Sequence, residues 1–321
     1  MPSILFVKTS SLGDVIHHMP AVADVRQHHP TARISWMVEE AYVPLVRLHP
    51  GVDDIIPVAT RRWRKHLAEA RTWREIKSFR GSMRHQTFDA IIDSQGLLRT
   101  ALMARLASGP HHGFDRWSIR EPLASRFYDV RHSIGRDVHV IERNRLLTGR
   151  ALGYTPVGEP EYGLECPREA VDKPYAIFFH STARLDKHWL VQRWIELGKA
   201  LAEFGLDILL PWGTEQERAR SEAIAREVPT AQIPERQPVV SLCPMIRNAS
   251  LVVGVDTGLM HLAAALQTPL IGIFTGTSAV QARPRGAGPI RVFGGPGQQP
   301  EVKEVLDAAR EMSARAGFSG R

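Results

Sequence analysis

Short apolar runs alternate with longer, partly polar segments along the whole chain. In the first half these runs lie near residues 4–7, 33–38, 54–58 and 88–93. Runs of this length, bounded by turn-forming residues, are typical of strands buried on both faces of a parallel sheet. The first segment between strands, roughly 14–28, reads as a helix that Pro20 kinks or delays. The segment 61–86 predicts one or two very basic helices.

The second half repeats this alternation after a stretch rich in proline and glycine. Pro156, Pro160 and Pro167 mark residues 154–174 as a linker. Beyond it we predict strands at 175–180, 207–210, 251–255 and 269–274, and helices at 189–204, about 214–227, about 258–266 and about 300–315. The pattern favours parallel βαβ units in two Rossmann-like domains, 1–160 and 161–321. The sequence leaves open whether the last helix packs back on the first domain.

Composition narrows the class of protein. Hydrophobic residues make up 43% of the chain, enough for packed cores, and no stretch approaches the roughly 20 apolar residues of a membrane span. The amino-terminal apolar run is too short for a signal peptide and lacks a basic region before it, so we expect a cytoplasmic protein. Cys166 and Cys243 are the two cysteines, without a CxxC pair, which argues against a disulfide framework or a structural zinc site.

The net charge of +7 is concentrated in the first half. Residues 1–150 hold 23 Lys and Arg against 15 Asp and Glu, and residues 61–84 hold nine basic and two acidic side chains. The densest run is Arg61-Arg62-Trp63-Arg64-Lys65. Such a surface attracts an anionic partner: nucleic acid, an acidic membrane surface or a charged acceptor molecule. A solvated, charged helix is the alternative that the residues leave open.

The loop after the first predicted strand carries candidate chemistry. It reads Lys8-Thr9-Ser10-Ser11-Leu12-Gly13-Asp14. Gly13 permits close approach to the backbone, and the serine hydroxyls offer hydrogen bonds. Asp14 at the start of a helix could act as a general base on a hydroxyl group of the acceptor. It could equally be a carboxylate that caps the helix and interacts with its dipole.

A loop of similar design follows the predicted strand 251–255. Backbone N–H groups of Thr257 and Gly258 at a helix start suit a phosphate, and His261 lies about one turn further on. The alternative is a capped helix with a core histidine. Neither GxxxxGK[ST] nor GxGxxG occurs, which argues against a P-loop or a dinucleotide site. Two such sheet edges facing each other across a cleft suggest an enzyme that joins two substrates.

Two further strand ends carry charged side chains. Lys187 follows strand 175–180 and could neutralise a departing diphosphate, although a solvated lysine is equally compatible with the residues. Glu217 follows strand 207–210 and could bind ribose hydroxyls or belong to the polar first turn of a helix. The 14 histidines lack HExxH or a similar spacing, so we expect no metal and no other cofactor.

Taken together, these residues resemble the bacterial lipopolysaccharide heptosyltransferases, inverting glycosyltransferases of family 9 with the GT-B fold. The resemblance runs nearly end to end. It is carried by segments 7–15, 38–40, 61–65, 93–97, 120–125, 186–189, 210–213 and 255–258, together with His261. The family fold implies two Rossmann-like domains whose parallel sheets face a central cleft. The acceptor would bind the first domain and the nucleotide-sugar the second.

The resemblance implies transfer of L-glycero-D-manno-heptose from ADP-heptose to a Kdo residue of Kdo2-lipid A, in the lipopolysaccharide inner core. It implies that Asp14 is the general base and that Lys187 contacts the donor phosphates. The other donor contacts that it implies are Thr182, Thr257, Gly258 and His261 at the diphosphate, Asp256 near the heptose and Glu217 at the ribose. Ala183 stands where the family pattern has a second threonine, which removes one hydroxyl group from the diphosphate site.

The acceptor side combines this resemblance with the charge pattern. The predicted acceptor contacts are Ser10, Gly13, Arg61, Arg62, Arg64, Lys65, Gln95 and Arg120. The basic run resembles that of the enzymes that add the first heptose rather than the second. A lipid-anchored acceptor predicts peripheral association with the inner leaflet of the inner membrane and no nucleic-acid partner. The alternatives are a related heptosyltransferase that adds the second heptose and, from another class, a basic nucleic-acid-binding protein.

Overall fold

The chain forms two compact units. The computed structural model describes residues 1–182, 184–276 and 283–315, with the side chains of 313–315 left out. The first unit is Met1–Glu165 and the second is Cys166–Arg321. The sequence alone put the boundary at residue 160, inside the proline-containing linker.

The first unit contains six strands and, among its described residues, seven α-helices. Its strands are β1 (Ser3–Val7), β2 (Arg33–Glu39), β3 (Asp54–Val58), β4 (Ala90–Asp93), β5 (His111–Phe114) and β6 (Val130–His132). Its helices are α1 (Leu12–Ile16), α2 (Met19–His28), α3 (Val43–Val46), α4 (Thr60–Lys65), α5 (Ala70–Arg84), α6 (Leu98–Ala104) and α7 (Val140–Leu152). Short 3-10 turns cover Glu40–Tyr42 and Pro122–Phe127.

All six strands of the first sheet are parallel, in the order β3-β2-β1-β4-β5-β6. This is the strand order of a Rossmann fold. Strands β2 and β3 lie on one side of β1 and strands β4 to β6 on the other, so the strand order reverses between β1 and β4. Ile4, Leu5, Phe6 and Val7 are fully buried because helices cover both faces of the sheet. Ligands of such sheets bind at the carboxyl ends of the two central strands.

The second unit repeats the architecture. Its strands are β7 (Tyr175–Phe179), β8 (Asp207–Leu209), β9 (Ala231–Gln232), β10 (Leu251–Val255), β11 (Leu270–Phe274) and β12 (Ile290–Gly294). Its described helices are α8 (Val191–Glu203), α9 (Glu215–Ala225), α10 (Leu242–Asn248), α11 (Gly258–Ala265) and α12 (Val302–Arg315), with 3-10 turns at Leu185–Lys187 and Val239–Ser241. The parallel order β12-β11-β10-β7-β8-β9 places the reversal between β7 and β10.

The last helix, α12, belongs to the core of the second unit. Val305, Ala309 and Met312 are buried in the same cluster as Trp194 and Leu197 of α8. Their spacing places them on one side of the helix, which is the side a helix buries. The sequence left open packing on the first domain; these apolar side chains are instead used within the second unit.

Most predicted elements appear within two residues of their expected bounds, and the differences have local causes. The predicted helix 14–28 is two helices, α1 and α2, and Pro20 occupies the second position of α2, where no intrahelical N–H bond is lost. Strands β5, β6, β9 and β12 were not predicted. Strands β5, β6 and β9 have only two to four residues, and β5 reads His-His-Gly-Phe, which has no apolar run to recognise. Strand β12 has five residues, but it reads Ile-Arg-Val-Phe-Gly and is only partly buried.

Candidate active site

The loop after β1 is anchored to both neighbouring strands. The ammonium group of Lys8, which is buried, donates a hydrogen bond to the carbonyl oxygen of Ser94 at 2.7 Å, just beyond β4. The indole N–H of Trp36 in β2 donates to the carbonyl oxygen of Lys8 at 3.0 Å. Burial lowers the pKa of the Lys8 ammonium below its ordinary value. The path of the loop into α1 is therefore fixed by side chains from both sides.

Gln95 holds the same loop by its backbone. Its side-chain Oε1 accepts hydrogen bonds from the N–H groups of Thr9 at 2.9 Å and Ser10 at 3.0 Å. The side-chain nitrogen Nε2 of Gln95 donates no hydrogen bond within the described parts of the chain. The structure thus gives Gln95 a positioning role that the sequence did not foresee. The predicted contact of Gln95 with an acceptor stays a prediction, and it would involve the side-chain NH2 group.

Asp93 in turn holds the turn that carries Gln95. This buried carboxylate accepts from the N–H groups of Gln95 at 2.8 Å and Gly96 at 3.1 Å. The hydroxyl groups of Thr100 and Tyr128 also donate to it, each at 2.9 Å. Burial raises the pKa of Asp93, and these hydrogen bonds to the charged form oppose that shift. Asp93 opens the segment 93–97 that carried the family resemblance, but the sequence alone did not indicate this structural role.

Gly96 brings the segment of Arg120 to this edge of the sheet. Its φ of +68° lies in the left-handed region, and a Cβ there would meet Ile119 Cγ1 at 2.9 Å. The N–H of Glu121 donates to the carbonyl oxygen of Gly96 at 3.2 Å. The exposed Arg120 therefore belongs to a segment packed against the loop after β4. Its contact with an acceptor stays a prediction.

Asp14 is the third residue of α1, and the structure gives it a capping geometry. Its Oδ2 accepts from the N–H of Ser11 at 2.7 Å and from the Ser11 hydroxyl at 3.1 Å. No described residue donates a hydrogen bond to Oδ1, and the side chain is partly exposed. The helix-capping alternative is thus realised. The cap uses only Oδ2. The general-base role of Asp14 stays a prediction, and it would involve Oδ1.

Ser10 and Gly13 flank this carboxylate in the loop. The Ser10 side-chain oxygen accepts a hydrogen bond from the guanidinium of Arg99 at 3.3 Å, at the start of α6. Arg99 is a contact that the sequence alone did not indicate. Gly13 is the second residue of α1 and directly precedes Asp14. Both remain predicted acceptor contacts.

The predicted basic cluster begins at α4, whose start is fixed by Glu39. This buried carboxylate accepts from the Thr60 hydroxyl at 2.7 Å and from the backbone N–H of Arg61 at 2.9 Å. A carboxylate at a helix N-terminus satisfies N–H groups that have no intrahelical partner and interacts favourably with the helix dipole. Glu39 thereby attaches the cluster to the end of β2.

Arg62 is committed to the fold. Its guanidinium makes a two-pronged contact with Glu40, at 2.9 Å for each bond, and a third bond with Glu75 at 2.8 Å. Hydrogen bonds from Trp63, Arg62 and Arg71 lower the pKa of Glu75 to about 2. Because two carboxylates already compensate the charge of Arg62, we expect its replacement to change acceptor binding less than replacement of the other cations in the cluster.

The other three cations of the cluster face outward. Arg61 lies with its guanidinium carbon 5.5 Å from the centroid of the Tyr42 ring, a cation–π distance. Arg64 and Lys65 are exposed and form no ion pair with a described residue. These three side chains are available to an anionic ligand.

In the second unit, Lys187 and Asp256 meet at the reversal of the sheet. The lysine Nζ lies 2.6 Å from Asp256 Oδ2, and the two side chains are 16% and 14% exposed. Lys187 ends the 3-10 turn after β7, and Asp256 follows β10. The sequence identified both as strand-end residues, and the structure pairs them across 69 positions.

The N-terminus of α11 lies beside this ion pair. Thr257 is the N-cap residue, and neither its backbone N–H nor that of Gly258 finds an acceptor among the described residues. Such N–H groups, together with the helix dipole, suit an anion. His261 follows one turn later and is buried, as in the alternative of a core histidine. Its phosphate contact stays a prediction.

Thr182 lies in the loop after β7. It is half-buried, and its carbonyl oxygen lies 2.8 Å from Nε2 of His188, which fixes this end of the loop. The Thr182 hydroxyl remains a predicted phosphate contact. Ala183, where the family pattern has threonine, lies outside the described residues.

Glu217 is the third residue of α9 and forms a capping box with Thr214. Its Oε2 accepts from the N–H groups of Gly213 at 2.7 Å and Thr214 at 3.1 Å. The polar first turn foreseen as an alternative is therefore present. As with Asp14, one oxygen holds the helix end, and the ribose contact stays a prediction.

His180, immediately after β7, is a buried neutral histidine under this loop. Its Nε2 lies 2.9 Å from the Ser221 hydroxyl and its Nδ1 lies 2.8 Å from the Ser181 hydroxyl. Burial, with a smaller contribution from Arg220 and His188, lowers its pKa to about 3.

Acid should destabilise the protein through His180. The unfolded chain protonates near the ordinary pKa of 6.5, before the folded state does, so stability is lost as the pH falls from 6.5 towards 3. At pH 5 the loss should be about 2 kcal/mol. Urea unfolding at pH 7.5 and pH 5 should show a smaller difference between the two pH values for His180→Gln than for wild type. An equal difference in both proteins would contradict the assignment.

Comparison with known proteins identifies the family. The model of glycosyltransferase family 9 (heptosyltransferase) matches residues 76–308. The chain belongs to glycosyltransferase family 9. Lipopolysaccharide heptosyltransferase 1 of Salmonella typhimurium is 42% identical to this family 9 chain over 278 residues, which is 84% of the chain and 87% of the relative.

Two solved structures are similar over nearly the whole family 9 chain. E. coli heptosyltransferase WaaC with ADP is 36% identical with a TM-score of 0.89, and the match covers 97% of this chain and 99% of that one. WaaC with ADP-2-deoxy-2-fluoro heptose is 37% identical with a TM-score of 0.84, covering 98% and 99%. The predicted GT-B fold is confirmed. The chain is a glycosyltransferase, which disfavours the nucleic-acid-binding alternative.

Proposed function

We propose that this family 9 enzyme transfers L-glycero-D-manno-heptose from ADP-heptose to a Kdo residue of Kdo2-lipid A, with inversion at the anomeric carbon and without a metal. The names of its relatives support heptose as the transferred sugar and ADP as the nucleotide of the donor. The observation that carries the proposal is the Lys187–Asp256 pair beside the open N-terminus of α11. A cation next to unpaired N–H groups is what a leaving nucleoside diphosphate needs.

On the donor side, the protein's task is to stabilise a leaving group that is already acidic. As the bond from the anomeric carbon to ADP breaks, negative charge develops on the β-phosphate, and Lys187 with the N–H groups of Thr257 and Gly258 would neutralise it. Asp256, held by Lys187, would lie near the heptose. Glu217 would bind the ribose through the oxygen that the helix cap does not use. With these groups in place, no metal is needed at the diphosphate.

On the acceptor side, one general base suffices for an inverting reaction. Asp14 would accept the proton of the attacking Kdo hydroxyl through Oδ1 while Ser11 holds Oδ2. The hydroxyl oxygen then bonds to an oxocarbenium-like anomeric carbon from the face opposite to ADP. Inversion follows from this single displacement.

A direct assay tests the proposal. The purified chain is incubated with ADP-heptose and Kdo2-lipid A, with and without EDTA, and the product is weighed by mass spectrometry. We expect one added heptose in both conditions. Transfer only to an acceptor that already carries a heptose would show instead that the enzyme adds the second heptose, and loss of activity with EDTA would refute metal independence.

The exposed cations of α4 should govern use of the acceptor. Replacing Arg61, Arg64 and Lys65 together by glutamine should raise the KM for Kdo2-lipid A by about tenfold or more, because each substitution removes a positive charge that would attract the anionic acceptor. The KM for ADP-heptose should change little. Arg62→Gln serves as the comparison: it should reduce stability rather than acceptor affinity. An unchanged acceptor KM in the triple variant would remove these residues from the site.

The same acceptor implies a location. No helix in the described part of the chain is long and apolar enough to cross a bilayer. Because Kdo2-lipid A is anchored in a bilayer, we propose that the enzyme works as a peripheral protein at the inner face of the inner membrane.

A further inference from the structure

One face of α5 is a continuous surface of cationic and apolar side chains, which we call the α5 face. It is lined by Trp73, Ile76, Lys77, Arg80, Gly81 and Arg84 around a shallow groove of about 300 Å³. These positions recur at intervals of three and four residues, so they share one side of the helix. None of the six is acidic.

The remaining surface of α5 is used by the fold. Thr72 and Met83 are buried, and Phe79 packs against the core of the first unit. Glu75, the one acidic residue of the helix, is held by Arg62, Trp63 and Arg71, at distances of 2.8 to 3.0 Å. The cations of the α5 face are therefore not neutralised by their own helix. They form no ion pair with the described residues.

Trp73 gives this face an apolar anchor. Its side chain is 58% exposed, and the neighbouring Leu67 is 51% exposed. The indole N–H already donates to the carbonyl oxygen of Leu67 at 2.8 Å. Because its one polar atom is satisfied, the ring can enter an apolar layer without leaving a donor unpaired.

We propose that the α5 face docks the enzyme on an anionic phospholipid bilayer. A 15-residue helix is about 22 Å long and can lie flat on a membrane surface. Tryptophan prefers the headgroup layer, and lysine and arginine near the surface are attracted to anionic lipids. Apolar anchors between cations favour a bilayer over a nucleic acid, whose backbone offers no apolar layer to Ile76 and Leu67.

This inference deepens the proposed peripheral location by naming the surface that binds the membrane, and it rests on the proposed transfer reaction only for the choice of partner. The basic helix α4 follows β3 at the ligand-binding edge of the sheet, and α5 begins within five residues of its end. A bilayer under α5 would bring a lipid-anchored acceptor towards Arg61, Arg64 and Lys65. The two surfaces have separate tasks, binding the membrane and binding the acceptor sugar.

The test uses the full chain and vesicles that contain no acceptor lipid. Vesicles of phosphatidylcholine, alone or mixed with phosphatidylglycerol, are sedimented with wild type, with Lys77→Gln/Arg80→Gln/Arg84→Gln and with Trp73→Ala. A matched control removes three exposed cations of the second unit, Arg226→Gln/Arg236→Gln/Arg291→Gln. Each cation at an anionic surface contributes roughly a fivefold factor in partitioning, so the triple α5 variant should bind about a hundredfold more weakly. The control should bind like wild type.

Several outcomes separate this inference from the proposed function. Equal partitioning of wild type and the triple α5 variant would overturn the inference, as would equal binding to vesicles without phosphatidylglycerol. Binding to a single-stranded oligonucleotide, lost in that variant and without vesicle binding, would assign the face to nucleic acid. With a deacylated, water-soluble acceptor, kcat/KM should be the same in the variant and wild type. A failure of the transfer reaction itself would leave the vesicle result intact.

Discussion

Replacing Asp14 by asparagine should lower kcat by at least about a hundredfold while ADP-heptose still binds, because a positioned general base contributes about 10² to 10⁴ in rate. Asparagine keeps a side-chain oxygen that can accept from the N–H and hydroxyl of Ser11, so the start of α1 should keep its geometry. What is lost is the ability to take a proton. Single-turnover kinetics and donor binding by calorimetry measure the two effects separately.

Two further variants separate the base from the helix cap. Ser11→Ala removes the hydroxyl bond to Asp14 but leaves the carboxylate, and it should reduce kcat only modestly. Asp14→Ala removes both functions and should lower the thermal midpoint as well as kcat. If Asp14→Asn turned over at a near-normal rate, the proton would have to leave by another route and the mechanism above would be wrong.

Replacing Lys187 by alanine should reduce kcat/KM for ADP-heptose by about 10² to 10³, the typical loss on removal of one charge-stabilising donor. The expected effect is large because the variant also releases Asp256 from its 2.6 Å ion pair. Without the lysine, the Asp256 carboxylate would repel the diphosphate more strongly than it does in wild type. Steady-state kinetics with varied donor and fixed acceptor measure the loss.

The ion pair itself provides the internal control. In Lys187→Ala/Asp256→Asn the repulsion is gone, so ADP should bind more tightly than to Lys187→Ala alone, a coupling that a double-mutant cycle reports. Lys199, whose ammonium lies 3.2 Å from Glu227, forms a more exposed ion pair that serves as the comparison, and Lys199→Ala should leave donor kinetics unchanged. Additive effects at Lys187 and Asp256 would mean that the pair does not act on the donor as one unit.

Particular elements explain what could be read from the sequence. Strands β1, β2 and β10 are nearly continuous apolar runs, because both faces of a parallel sheet are covered, and their bounds follow from that pattern. Strand β9 has two residues and β5 has two histidines, so neither has such a run. Their place is set by pairing with β8 and β4, which periodicity does not encode.

The candidate site also has some features that the sequence predicts and others that only the structure shows. Asp14, Glu217 and Thr257 stand at helix starts, and local sequence predicted that correctly. It did not reveal that Asp14 and Glu217 each use one oxygen for a cap. Nor did it reveal that Arg62 is held by two carboxylates, whereas Arg61 is not. Those differences depend on residues brought near by the fold.

The order of apolar and polar residues along a short window is enough to predict the two α/β units, the basic first half and the strand-end positions of the chemistry-bearing residues. Which of those residues come into contact depends on the folded chain. Lys187 finds Asp256 across 69 positions, and Gln95 holds Ser10 across 85. The physical reason is that parallel strands far apart in the chain end at a common edge, where contacts are made between loops that share no local pattern.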